Sequence, residues 1–403
     1  MARSEDTGMS IDEILAPLGG ETFLRDYLGK RPVHIEGGAE KFRSVMSWPV
    51  LNRLLGMNSI WDTERLVMVL DRETVPPAAY VGREEAVSGR PIADPAKVKQ
   101  HIRQGATLVL NDVDRLTPEL SAFARTMEEA LGGKVQGNLY QSSRRRQGFK
   151  VHYDTHDVFA VHCEGEKVWS VFEGRAPDPI AHPIFKTVPQ EQHEKAKGQL
   201  WKEVRMKPGD LLYLPRGQYH YALADDGGCI HIAFGVTYPI GIDVVSYLFE
   251  RMITDPLCRR NLPHEGPALA THLDELAKRL SEVLAEPRTL ADLRAFQEGY
   301  RYQRETFDFP EILDSAALHY VVNGKGVRLI QQQGRFGLVK EGSRQAVAVP
   351  GEVSGMVDWV LKRPGFSRGE LNAAFPAAGT AALDKFVADM ERMLLIAVDA
   401  RAA

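Results

Sequence analysis

Between residues 134 and 238 the chain alternates short apolar runs with glycine- and proline-marked turns, and this rhythm restricts the fold more than any other part of the sequence. Eight runs read as strands, at 135–140, 150–155, 158–163, 167–172, 200–206, 210–214, 220–223 and 229–236. The turns fall at Glu164-Gly165-Glu166, Lys207-Pro208-Gly209-Asp210, Pro215-Arg216-Gly217 and Asp225-Asp226-Gly227-Gly228, residues that suit reversals of the backbone. Eight short strands at this spacing predict a double-sheet jelly roll. The mouth of such a barrel is a natural place for a metal and a small ligand.

The flanks read differently. Residues 10–131 mix helix and strand: Ser10 precedes an amphipathic turn as a cap, and 21–27 fits a helix. The apolar run 107–111 suits a buried strand, and 118–131 has helical spacing. Beyond residue 240 the pattern is helical, with amphipathic stretches at 243–253, 268–284 and 290–306 whose apolar stripes need a cover. A subunit partner and an intramolecular bundle both satisfy that need. The last section has helix-turn-helix rhythm, with helices expected at 353–361, at 367–375 capped by Ser367, and at 381–395. This predicts a small winged-helix-like module. Its third helix carries Asp384, Asp389 and Glu391, whereas a DNA-reading helix is expected to be basic, so protein contact or packing fits better. The expected class is α+β, which suits 403 residues divided into two or three domains. Residues 1–240 form a barrel domain with its N-terminal elements (core 134–238), 241–310 a helical region, and 311–403 the terminal module.

A net charge of −4 argues against a broad nucleic-acid footprint, although a local basic patch remains compatible with it. The cysteines, Cys163, Cys229 and Cys258, are odd in number and widely spaced. They suggest neither a disulfide framework nor a structural zinc site, and reduced thiols in a cytosolic protein are expected. The polar N-terminus lacks the apolar stretch of a signal peptide, and no run is long enough to span a bilayer. The expected location is the cytoplasm, with no membrane partner.

Chemistry concentrates at Val151-His152-Tyr153-Asp154-Thr155 and at His220, which follows Pro215-Arg216-Gly217. Alternate residues of a strand share a face, so His152 and Asp154 can point into one cavity. His220 from a later strand completes two imidazoles and one carboxylate, a facial set that leaves coordination positions open, as in non-haem Fe(II) oxygenases. A lone His-x-Asp is a weak signal, but its place early in the jelly roll strengthens it. His156, His162 and His231 are reserves. His156 shares the parity of the pair, while His162 faces the other side if its strand is regular. If 2-oxoglutarate chelates the iron, its far carboxylate needs a cation inside the barrel, and Lys167 is placed to supply one. Asn138 and Tyr140, one strand earlier, can donate further hydrogen bonds. The plain alternatives are a solvent-facing lysine and ordinary strand polar residues.

Three segments carry a more specific likeness: Asn138-Leu139-Tyr140, the run from Gln147-Gly148-Phe149 through His152-Tyr153-Asp154-Thr155-His156 to Phe159, and Glu164-Gly165-Glu166-Lys167-Val168-Trp169. Together they resemble the JmjC-type ribosomal oxygenases, cupin-fold Fe(II)/2-oxoglutarate hydroxylases of protein side chains. Upstream, Phe23, Tyr27 and Lys30-Arg31-Pro32 look like the family's N-terminal stretch. The resemblance implies a double-stranded β-helix with His152, Asp154 and His220 as iron ligands. It further implies Lys167 on the 2-oxoglutarate carboxylate, with Asn138 and Tyr140 beside it, and dioxygen as co-reactant. It also implies homodimerisation through the helices, a C-terminal winged helix, and arginine or histidine on a ribosomal protein as substrate. Two departures bear on substrate: Ser142-Ser143-Arg144-Arg145-Arg146 replaces a loop of small and proline residues, and Ala233 and Gly235 stand where relatives often have hydroxyls. The three arginines suit steering of an acidic peptide or RNA, or a solvated loop. Competing readings are an RNA-base hydroxylase or lysine demethylase with the same chemistry, a cupin isomerase or dioxygenase using metal without 2-oxoglutarate, and a non-catalytic dimeric binding module.

Overall fold

The computed structural model describes residues 8–84, 91–143, 149–225, 227–304, 318–343 and 346–399. The chain divides into two compact units, Met1–Glu305 and Thr306–Ala403. In the first, an eight-stranded sheet runs in the order β1 (Val33–Ile35), β11 (Leu211–Leu214), β8 (Asp157–Glu164), β13 (Cys229–Thr237), β7 (Lys134–Ser142), β6 (Thr107–Leu110), β2 (Leu66–Leu70) and β3 (Glu73–Thr74). Facing it is a three-stranded sheet, β10 (Leu200–Met206), β9 (Lys167–Arg175) and β12 (Gln218–Ala224). A separate pair joins β4 (Val81–Glu84) to β5 (Pro91–Ala93). The barrel is the cupin-type jelly roll that the strand rhythm predicts.

Its sequence signature has a packing cause. In β8 Phe159, Val161 and Cys163 enter the large core, which also takes Phe123, Leu139 and Phe234. The alternate residues Val158 and Ala160 pack between the two sheets against Trp169, Val171 and Val204. A strand buried on both faces reads as a continuous apolar run rather than as alternation. The helix Pro118–Leu131, capped by the Thr117 side chain, closes the outer face, with its Phe123 ring 4.7 Å from that of Phe234.

One expected strand is absent. Over 150–155 the chain makes only an isolated bridge, in which His152 and His220 exchange N–H···O bonds of 3.1 and 2.9 Å. On its other side β12 pairs with β9, where the register slips between Gln218↔Arg175 and His220↔Val171 because β9 carries the extra residues. The next contact is Gly217 N–H to the Asp154 carbonyl at 2.9 Å. Gly217 holds φ +86°, and a Cβ there would meet the Ala176 carbonyl oxygen at 2.2 Å, so only glycine fits this turn.

After the barrel come helices Gly241–Met252, Gly266–Ala285 and Pro287–Glu298. The last ends well before the expected 306, because Gly299 terminates it and the chain then carries Arg304 into the core. The Arg304 guanidinium is almost wholly buried, bonding Asp114 at 2.7 Å, Glu128 at 3.0 Å and the Val135 carbonyl at 2.6 Å. Such a network ties the returning segment to the start of β7; removing one partner would strand the others' charge.

The second unit places helices Gly351–Leu361, Arg368–Ala374 and Thr380–Arg392 over a core that includes Met356, Val360, Leu371, Phe386 and Met390. Ser367 forms a capping box with Glu370, as its sequence position predicts. Two three-stranded sheets, one built on His319–Val322 and one on Arg335–Lys340, have no counterpart in the sequence reading. No helix among the described residues is long and apolar enough to cross a membrane.

Candidate metal centre

The irregular segment before β8 and the start of β12 bring His152, Asp154 and His220 together. One ligand atom from each lies within 4.8 Å of the other two, and no other such cluster occurs among the described residues. His220 Nε2 stands 3.5 Å from Asp154 Oδ2, and the two imidazole centroids are 4.5 Å apart. Each ring is oriented by its own backbone: His152 Nδ1 lies 2.8 Å from the Lys150 carbonyl and His220 Nδ1 lies 3.0 Å from the Gln218 carbonyl. A carbonyl accepts only, so Nδ1 carries the proton in both rings and Nε2 presents a lone pair to the common point. This is how ligating histidines are normally held.

The protonation states agree. Burial, with His152 beside it, pushes His220 down to about 4, so this ring is neutral at ordinary pH. Burial pushes the Asp154 carboxyl up, but the imidazoles of His152, His220 and His156 outweigh it and hold the group below its usual value. Two imidazoles and one carboxylate fit a divalent metal and leave one side of it to other ligands. The Asp154 side chain keeps 31% exposure, so the cluster opens outward.

Behind it lies a cavity of about 260 Å³ whose lining includes all three residues together with Tyr140, Lys167 and Trp169. Lys167 is 6% exposed, and no carboxylate pairs with it among the described residues. Burial lowers its pKa. An ammonium enclosed without a counter-charge is costly, and an anionic ligand at that depth relieves the cost. Near it the hydroxyls of Thr107 and Ser142 sit 3.0 Å apart, one donating to the other, which leaves one O–H free for a ligand. The Trp169 indole N–H is also buried without a partner among the described residues.

Not every expected residue meets this cavity. Tyr140 lines it, with burial pushing its phenol up, so it remains an O–H donor. Asn138 does not: its Oδ1 accepts from Asp112 N–H at 3.1 Å. His162 is corrected. It does not face away; Val158, Ala160 and His162 share the inner face of β8, and its ring stacks 6.3 Å from that of His231. Residue 162 lies an even ten positions from 152, so strand parity itself puts it on the ligand face. The ring of His156 occupies space that a Cβ on Gly235 would invade at 2.1 Å, so the glycine and the histidine require one another. Arg144, Arg145 and Arg146 lie outside the described residues.

Some site residues escaped the sequence reading. Ser142 and Trp169 are each two positions from a residue it singled out, so strand parity could have found them. Thr107 could not be found that way; it reaches the cavity because β6 pairs with β7, opposite Ser142.

A family model described as JmjC domain matches residues 111–244. The chain is 24% identical over 332 residues to an uncharacterised Bacillus subtilis protein, YxbC, covering 76% of this chain and 97% of that one. It is 32% identical over 151 residues to ribosomal oxygenase 1 of Rattus norvegicus, covering 37% of this chain but 25% of the rat protein. Among solved structures it is similar to the Escherichia coli ribosomal oxygenase YcfD in complex with cobalt and 2-oxoglutarate, at 16% identity and a TM-score of 0.46, covering 94% of this chain and 98% of that one.

Proposed function

We propose that this chain, a JmjC-family protein through its residues 111–244, is an Fe(II)- and 2-oxoglutarate-dependent oxygenase that hydroxylates a protein side chain. The observation that carries the reading is the pairing, in one cavity, of an open-faced His152–Asp154–His220 set with the unpaired Lys167 ammonium at its inner end. Iron, when bound, supplies the dioxygen chemistry that side chains cannot. The overall reaction converts 2-oxoglutarate, dioxygen and a C–H bond into succinate, carbon dioxide and an alcohol.

The chain's own contribution is placement. His152, Asp154 and His220 hold one face and leave the other for cosubstrate and dioxygen. Lys167 and the free hydroxyl of the Thr107–Ser142 pair hold the distal carboxylate of 2-oxoglutarate, and the Tyr140 phenol adds a donor. Asn138, two residues from Tyr140 on the same face of β7, is held by the turn at Asp112 and is given no cosubstrate contact. Val158, Ala222 and Ala233 exclude water from the reacting end.

The substrate we propose is arginine or histidine on a ribosomal protein, in line with the names of the similar proteins. Mass spectrometry of ribosomal proteins from cells with and without this chain should show one added oxygen atom on one protein, in its presence only. Identical spectra would sink this substrate, and an oxidised RNA base or a demethylated lysine would favour the runner-up reactions. The metal-only cupin and the non-catalytic binding module are disfavoured by the intact ligand set and by the buried Lys167.

The assembly we propose is a homodimer. Ile242, Val245, Phe249 and Ile253 recur at helical spacing on one face of Gly241–Met252 and its end, all more than half exposed. Sedimentation velocity at micromolar concentration should give a dimer for the parent chain and a monomer for Phe249→Asp; a monomeric parent would remove the proposal. The unit Thr306–Ala403 is read as a winged-helix-like module for protein contact, and nucleic-acid binding is not proposed. The free cysteines support a cytoplasmic location.

A further inference from the structure

The proposed cosubstrate contacts leave one buried polar side chain in the cavity unexplained. His231, on β13, is 3% exposed, lines the cavity, and makes no hydrogen bond among the described residues; its Nδ1 is sealed off without a partner. Buried polar atoms are nearly always paired, and because Nδ1 is closed off, a ligand in the cavity meets this ring through Nε2, the nitrogen that is not sealed. The ring is not loosely packed. Tyr140 stacks on one face at 4.9 Å and 11°, His162 stacks at 6.3 Å and 10°, and Trp169 meets it edge-on at 5.4 Å. Rings fixed in this way hold their nitrogens in one direction.

We infer that His231 donates an N–H hydrogen bond to the same distal carboxylate that Lys167 neutralises, and so sets the length of dicarboxylate the cavity accepts. This rests on the cosubstrate reading above. The groups that face the ring are Lys167, Tyr140, His162 and Trp169, with no carboxylate among them. Burial, followed by the charge of Lys167 and by His162, holds the imidazole well below its usual pKa. It is therefore neutral, with one N–H and one lone pair. A neutral donor adds direction without adding a second positive charge beside the ammonium. His162 has its own duty, Nε2 bonding the Gly165 carbonyl at 3.0 Å, and serves as a backing plate.

The test uses full-length protein loaded with manganese(II) without oxygen, titrated calorimetrically with 2-oxoglutarate and with oxalate, which chelates the metal but does not reach His231. His231→Phe keeps a ring between Tyr140 and His162 and loses the donor; His231→Gln keeps an N–H. The expected result is a loss of about ten- to a hundredfold in 2-oxoglutarate affinity for the phenylalanine variant. Oxalate affinity should be unchanged, and the glutamine variant should recover most of the loss. Unchanged 2-oxoglutarate affinity in the phenylalanine variant would overturn the inference. So would equal weakening of both ligands, or a glutamine variant as weak as phenylalanine. A parent protein that takes oxalate but no 2-oxoglutarate would instead overturn the cosubstrate reading itself.

Discussion

Lys167→Ala is expected to weaken 2-oxoglutarate by about two to three and a half decades while the metal stays bound. The expectation follows from enclosure. In the free protein the ammonium has no carboxylate partner among the described residues, and burial already disfavours its charge. A bound dicarboxylate completes the pair. Without the lysine, that carboxylate enters the same low-dielectric space uncompensated, at a cost of about 3–5 kcal/mol. Metal affinity should not follow, because Lys167 lies at the inner end of the cavity and is no part of the ligand cluster. Calorimetry with 2-oxoglutarate beside elemental analysis for the metal separates the two effects. An unchanged dissociation constant would exclude Lys167 as the anchor.

The second large effect is expected at the ligand set. Asp154→Ala or His220→Ala should lower metal affinity by more than about a hundredfold, beyond what outer-shell partners cost, and bring succinate production to background. Asp154 contributes the set's one negative charge. His220 contributes a ring that burial keeps unprotonated to about pH 4, so it is ready for metal at neutral pH. The Gln218 carbonyl fixes its tautomer, so any replacement loses both the lone pair and its aim. Metal content and succinate release are the measurements; full turnover in either variant would count decisively against the assignment.

The sequence was legible where a local rule governs. Phe159, Val161 and Ile232 pack with a two-residue period, and the turns carry glycines that only a turn tolerates, so seven of the eight anticipated barrel strands are present with small changes at their ends. Ser10 and Ser367 cap helices because a hydroxyl three residues ahead of a glutamate satisfies the first free N–H groups. The misses share a cause. At 150–155 the spacing was strand-like, but pairing takes two strands, and here it amounts to the His152–His220 bridge and the Gly217–Asp154 contact. The helix expected to reach 306 stopped at Glu298 because Arg304 has its partners, Asp114 and Glu128, far back in the chain. The strands of the second unit went unread because half-exposed residues leave little periodic signal.

Residue identity alone therefore determined the ingredients of the site: two imidazoles and a carboxylate in the right order, and a lysine one hairpin later. Side-chain chemistry and strand period are properties of neighbours in sequence, and a single chain displays them openly. Tertiary structure decided which of the twelve histidines serve which purpose. His156 sits over Gly235, His162 backs His231, and Thr107 enters the cavity from a strand 35 residues before its partner Ser142. Those roles depend on sheet order and on which face of each strand turns inward, and both are fixed only when distant strands pair and bury their apolar sides together.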